Sequence, residues 1–329
     1  MKKVLVTGAT GLLGANICTQ LIARGDHVRT IVRTPNSADA DALRAAGVEV
    51  LPGDVQDMDS LHRAASGVDA VVHSAAMLGR PGATMEEGFP TNVIGTINVL
   101  SAAAAAGGPP VVQVLTTTFF NSGDKGLDEF SPLDLLFRNK DVYSITKRLA
   151  YVEGVARVAS GQDIRFMIPG AIFGPTICLQ KGLGAANFND RIVKAVRGEM
   201  PTQLPLRMPW VTAEDCAFVC IEAIDKGVKG EKYIAHGCPE NFGSIAGVCN
   251  HACEMAGSPH RVREYTSEEL ESPELIKIFG PTMPLLAKNA AKSPGSSSRY
   301  TQEKLGYKPT PLDEGLRVTL DWMRAMKAI

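Results

Sequence analysis

Val4–Leu5–Val6, an apolar run near the start of the chain, leads into three glycines at Gly8, Gly11 and Gly14. The run reads as a short buried strand. From Leu12 onward, Leu13, Ile17, Leu21 and Ile22 recur at helical spacing, with Gly25 as the stop. A strand, a glycine turn and an open helix N-terminus present bare backbone N–H groups to an anion, and the helix dipole favours negative charge there. The spacing is G-x-x-G-x-x-G, not G-x-G-x-x-G. Three glycines alone make only a tight turn. Placed between an N-terminal strand and a helix, they predict a seat for a nucleotide diphosphate.

Strand and helix signals alternate through the first half. Val28–Val32, Val48–Leu51, Ala70–His73, Val111–Leu115 and Arg165–Ile168 read as strands. Ala38–Ala46, Asp59–Ala65, Asn92–Ala106 and Tyr143–Ala159 read as helices. This rhythm predicts an α/β fold, a Rossmann-type doubly wound parallel sheet. After Gly170 the rhythm breaks, and Gly, Pro and Asn become frequent up to Pro209. Glu214–Lys226 reads as helix, Lys232–Ala235 as a further strand, and Leu312 to about Lys327 as the last helix. The expected division is a dinucleotide-binding domain over 1–170, with 207–240 returning to it. A smaller, mostly helical substrate-binding lobe takes 171–206 and 241–329.

The net charge of −1 recommends neither nucleic acid nor an anionic membrane as partner. No apolar run reaches transmembrane length. Met1–Lys2–Lys3 before an apolar stretch mimics a secretory signal, but the glycines, Arg24 and Asp26 spoil that reading. Seven scattered cysteines form no disulfide framework, which suits reduced thiols and a cytoplasmic location. Cys249, His251 and Cys253, with Cys238 nearby, invite a zinc reading. No pair has C-x-x-C spacing, so small core residues are expected and no metal.

Tyr143-x-x-x-Lys147 places a phenol and an ammonium one helical turn apart. The ammonium favours tyrosinate and draws the phenol toward a working pKa, so that Tyr143 gives a proton to a carbonyl or takes one from an alcohol. Thr116–Thr117–Thr118 ends a predicted strand, where hydroxyls of a parallel sheet face the ligand crevice. Either motif alone is ordinary; with the glycines they point to a redox site.

These residues together resemble the extended short-chain dehydrogenases/reductases, the NAD(P)-dependent epimerase/dehydratase group. Thr7–Gly14 (T-G-A-T-G-L-L-G) matches the cofactor loop, Gly53–Asp54 the adenine contact, and His73–Ala76 the segment beneath the adenosine ribose. Asn92–Thr96 matches a helix-start motif whose Asn orders the central helix, Tyr143 and Lys147 the catalytic pair, and Pro169–Gly170 the segment near the nicotinamide. Trp210-Val-x-x-x-Asp215 and Lys304–Pro309 match landmarks of the second lobe. The resemblance implies a catalytic set of Thr118, Tyr143 and Lys147, with Thr117 as the alternative hydroxyl. It implies a cofactor set of Gly8, Thr10, Gly11, Leu12, Leu13, Gly14, Arg33, Asp54, Val55, Ser74, Ala75, Ala76, Asn92, Thr116, Tyr143, Lys147, Pro169, Gly170 and Ile172. Val28–Pro35 resembles the dihydroflavonol reductase and hydroxysteroid dehydrogenase branch. Where NAD-preferring members end the second strand with a carboxylate, this chain has Val32 followed by Arg33. An arginine there pairs with a 2′-phosphate, so NADP is preferred over NAD.

Sugar dehydratases of the family carry an Asp-Glu pair after the catalytic Thr; Phe119–Phe120 stand there instead. Nucleotide-sugar epimerases often carry Asn before the proline; here it is Ile168. The expected pocket is apolar: Met77, Leu78, Phe119, Phe120, Phe188, Met208 and Trp210. The expected reaction interconverts a secondary alcohol and a ketone on a hydrophobic, cyclic small-molecule substrate such as a steroid, terpenoid or flavonoid-like compound. The alternatives are a nucleotide-sugar 4-epimerase, with Arg191 or Arg299 on phosphate, and a non-catalytic nucleotide-binding protein. Relatives pair through the helix carrying Tyr143 or stay monomeric, so a homodimer is compatible with the chain.

Overall fold

A computed structural model describes residues 1–79, 82–121, 123–136, 140–184, 187–237, 241–280, 287–288 and 295–329. Its strands are β1 (Lys3–Thr7), β2 (His27–Val32), β3 (Glu49–Pro52), β4 (Ala70–His73), β5 (Val111–Val114), β6 (Ile164–Pro169), β7 (Ala171–Phe173), β8 (Thr202–Gln203), β9 (Arg207–Thr212), β10 (Lys232–Ala235), β11 (Phe242–Ser244) and β12 (Arg263–Glu264). Seven of them form one sheet in the order β10-β6-β5-β4-β1-β2-β3. Every pairing in it is parallel, so the strand order reverses beside β1 and opens a crevice at the carboxyl ends.

Helices cover both faces. On one face, α1 (Leu12–Ala23) and α9 (Ala213–Lys226) bury Ile17, Leu21, Val219 and Cys220 against Val4, Val6 and Val112. On the other, α3 (Met58–Ala65), α5 (Gly95–Ala105) and α6 (Val142–Ala159) pack Leu61, Leu100 and Tyr151 onto Leu5, Val71 and Phe166. With both faces covered, the strands read as continuous apolar runs, not as alternation.

The helix expected over Asn92–Ala106 is regular only from Gly95. It is preceded by α4 (Met85–Phe89) and a wide π turn over Pro90–Ile94. Pro90 donates no backbone hydrogen bond, and the Asn92 side chain is drawn off to Met77 and Thr146.

The smaller lobe has a sheet of its own, in the order β11-β9-β7. Within 207–240, α9 and β10 join the layers of the large sheet, whereas β9 belongs to this small one. Trp210 of β9 is fully buried among Phe173, Ile192, Cys249 and Leu316. These come from β7, α8 (Phe188–Val196), α10 (Ile245–Ala256) and the helix Leu312–Ala325. Asp215 in α9 accepts from the Thr310 backbone N–H and hydroxyl at 2.9 and 2.8 Å, which ties Lys304–Pro309 and its neighbours to the lobe junction.

A second tie crosses the glycine turn. Asp39, in α2 (Ala38–Ala45), accepts from the N–H groups of Gln180 and Lys181 at 3.0 and 3.1 Å, and Asn16 donates to the Pro175 carbonyl at 3.0 Å. Six cysteines, Cys18, Cys178, Cys216, Cys220, Cys249 and Cys253, are free and buried. Cys238 lies outside the described residues. Among the described residues no cluster could hold a metal ion, and no helix is long and apolar enough to cross a membrane.

Candidate active site

Gly8 lies in left-handed backbone (φ 78°), and a Cβ there would sit 2.6 Å from the Ala75 nitrogen. A Cβ on Gly14 would sit 2.2 Å from the Gly8 carbonyl oxygen. Gly11 donates to Gly8 O at 2.9 Å and is the N-cap of α1, with no side chain capping it. The first N–H groups of α1 have no intrahelical acceptor. Gly8, Thr10, Gly11, Leu12, Leu13 and Gly14 thus form one bare-backbone cradle, with Ser74, Ala75 and Ala76 across from it after β4. Ser74 Oγ donates to Thr7 O at 2.8 Å and holds the two sides together.

His73 braces this edge from below. Its Nδ1 is 2.8 Å from Thr7 Oγ1 and its Nε2 is 2.9 Å from Thr96 Oγ1. Burial pushes the imidazole down to about 3, so it is neutral. Asn92 is 1% exposed; it accepts from Met77 N at 2.7 Å and donates to Thr146 at 2.9 Å. It therefore links the strand-end loop to α6 from within the core.

Arg33 is exposed directly after buried Val32. Asp54 is half-buried and accepts from Gln56 N at 3.0 Å, while Val55 is buried with its carbonyl accepting from Asn98. Pro169 ends β6. A Cβ on the next residue, Gly170, would lie 2.3 Å from Pro209 O, so the two sheets approach closely there. Ile172, in β7, packs on the core of the α1 face.

The α6 residues meet the end of β5. Asp141 is the N-cap of α6, accepting from Ser144 N at 3.0 Å and from Ser144 Oγ at 2.5 Å. Thr118 Oγ1 lies 2.9 Å from Ser144 Oγ, so it belongs to this capping group. Thr116 is the threonine whose side chain favours the ionised form of the Tyr143 phenol. Lys147, 3% exposed, donates to Val114 O at 2.5 Å.

Burial pushes the Tyr143 phenol up to about 12; Thr116 works against this and Asp141 adds to it. Burial also holds Lys147 down to about 8. This differs from the expectation that the lysine draws the phenol down. Desolvation outweighs the opposing effects, and the ammonium points at a backbone carbonyl.

The expected pocket residues separate. Phe119 and Phe120 (3% and 9% exposed) lie in a ring cluster with Tyr151 and Phe166, because the tight turn Thr117–Phe119 folds them under α6. Trp210 is core, its ring edge-on to Phe173 and Phe188. Met77, Phe188 and Met208 are half-buried and Leu78 is exposed. Arg299 pairs with Glu303, whereas the half-buried Arg191 lies 5.7 Å over the Phe188 ring. Sequence reasoning missed Asp141 and Ser144, although an acid three residues before a serine at a helix start is a capping signal. It also missed His236, which carried no local signal.

Over 330 aligned residues the chain is 28% identical to sterol demethylase protein B of Methylococcus capsulatus, covering 97% of this chain and 98% of that one. It is 29% identical over 263 residues to a putative dihydroflavonol 4-reductase of Synechocystis (77% and 72%). Over 106 residues it is 38% identical to a 3 beta-hydroxysteroid dehydrogenase/Delta 5-->4-isomerase of Mycobacterium tuberculosis (30% and 28%). The UDP-glucose 4-epimerase of Bifidobacterium longum, solved with NAD+ and UDP, shares the fold with a TM-score of 0.77 at 17% identity (99% of each chain). The model of the NAD dependent epimerase/dehydratase family matches residues 4–235, and the chain belongs to that family.

Proposed function

We propose that this protein is an NAD(P)-dependent oxidoreductase that interconverts a secondary alcohol and a ketone on a hydrophobic, cyclic substrate. The observation that carries the reading is Tyr143 one helical turn from a buried Lys147 that donates to Val114 O at the end of β5, on the sheet edge that also holds the glycine cradle. The dinucleotide fits this chain because Gly8 and Gly14 let the turn pack backbone to backbone and Gly11 leaves the N-terminus of α1 without a side-chain cap, open to a diphosphate. When bound, the nicotinamide group accepts or supplies the hydride. The buried phenol of Tyr143 is protonated at neutral pH, which suits it to donate to a carbonyl oxygen; in the reverse direction it takes the alcohol proton. Thr116, or Thr118 beside it, orients that oxygen. Lys147, one helical turn from Tyr143, would hold the ribose hydroxyls of the bound cofactor.

Arg33, exposed directly after β2, is the residue assigned to a 2′-phosphate, a reading that favours NADP. The next acid in the chain after Arg33, Asp39, has both carboxylate oxygens on backbone N–H groups of α7 (Leu179–Gly182). The half-buried Met77, Phe188 and Met208 and the sterol, dihydroflavonol and hydroxysteroid names of the relatives support an apolar ring substrate. A nucleotide-sugar 4-epimerase is the second reading. It draws on Arg191, which makes no ion pair among the described residues and so is open to an anionic group. Oxidation or reduction of the cofactor, followed at its absorbance band with cyclic ketones and alcohols and with UDP- and GDP-sugars, separates the two. Turnover confined to the sugars overturns the leading reading.

A further inference from the structure

His236 stands one residue beyond β10 and is fully buried, yet among the described residues neither ring nitrogen has a hydrogen-bond partner. A buried polar group without a partner is costly and uncommon, and it calls for a physical reason. The position supplies one. β10 pairs with β6 through Ala235↔Pro169, and Gly170 N donates to Ala235 O at 3.0 Å, so His236 is level with Gly170 at the carboxyl edge of the sheet. The imidazole Cδ2 lies 3.3 Å from where a Gly170 Cβ would be. Along β10, Tyr233 and Ala235 belong to the α1 face and Ile234 to the α6 face. Side-chain alternation then sends His236 to the α6 face, the one that carries Tyr143 and Lys147. Burial keeps the ring neutral, pushing it down to about 3, so it offers one donor and one acceptor and no charge. That complement suits a hydroxyl or a carbonyl and not a phosphate.

We propose that His236 binds a second oxygen of the substrate, a hydroxyl or carbonyl remote from the carbon that changes oxidation state. The proposal rests on the alcohol/ketone reading above. β5, which ends at Val114, the carbonyl partner of Lys147, and β10 are separated by β6 alone. Two strand spacings put the reacting oxygen and the second one on the order of 10 Å apart. A fused-ring substrate with oxygens at opposite ends spans that distance; a small ketone does not.

The test uses the purified full-length protein with androstanedione and with androstanone, which lacks the second oxygen. The wild type is expected to favour the dione in kcat/KM by about tenfold, mainly through KM. His236→Phe abolishes the preference, and His236→Gln, which keeps a donor and an acceptor, retains part of it. Cofactor affinity, read by fluorescence titration, stays the same in both variants. If His236→Phe does not fold, His236→Leu takes its place. A wild type that handles the two ketones equally overturns the proposal, as does a variant that loses both equally or loses cofactor binding. A wild type that binds cofactor and turns over neither ketone overturns the alcohol/ketone reading itself, and the proposal with it.

Discussion

The Thr118 hydroxyl lies 2.9 Å from Ser144 Oγ, which donates to the helix-capping Asp141, whereas Thr116 is the threonine that favours the ionised form of the Tyr143 phenol. Counting from the end of the strand picks Thr118 as the hydroxyl that orients the reacting oxygen, and Thr116 is the competing candidate. Three variants decide it. Tyr143→Phe should lower kcat by at least about a hundredfold, the usual contribution of a positioned proton donor, with cofactor affinity unchanged. Thr116→Val should lower kcat about tenfold or more. Thr118→Val should act mainly on thermal stability, by loosening the α6 cap. Steady-state kinetics and melting curves check all three. A larger kcat loss for Thr118→Val than for Thr116→Val would restore the strand-counting assignment.

Arg33 follows the buried end of β2 and is exposed. Arg33→Ala should weaken NADPH binding about tenfold, the scale of a charge-assisted contact, and leave NADH within about twofold. Fluorescence titration with both nucleotides reads this directly. Equal losses would remove the 2′-phosphate role.

His73 and His236 are each held down to about 3, from an ordinary 6.5, by burial. Their unfolded forms take up protons below about pH 6.5 while the folded forms do not. Stability contributed above that pH is therefore lost progressively as the pH falls toward 3. At about pH 5 each histidine should cost roughly 2 kcal/mol relative to pH 7. Urea unfolding of the wild type and of His236→Gln at the two pH values isolates one of them. The variant should show a loss smaller by about that amount; an unchanged loss would place the acid sensitivity elsewhere.

The strand, glycine turn and first helix were legible in the chain because each depends on near neighbours: an apolar run, a helical repeat, and backbone that admits no Cβ. The same local logic located all seven strands of the large sheet to within a few residues at their ends. It located the Tyr143–Lys147 helix equally well.

What the tertiary structure decided depends on residues far apart in sequence. Phe119 and Phe120 read as pocket residues until α6 and β6 close over them with Tyr151 and Phe166. Asn92 matched a helix-start motif whose Asn orders the central helix, and only the fold shows its partners, Met77 and Thr146 of α6. β9 joins the small sheet because Trp210 pairs with Ala171, a partner no local pattern specifies. The contact of Thr118 with Ser144 turns on where the α6 cap draws that serine, and the isolation of His236 on which groups surround it. Periodicity and steric exclusion act over a few residues and are written in order along the chain. Desolvation and hydrogen-bond satisfaction are set by whichever atoms the fold brings together, and exist only once it has formed.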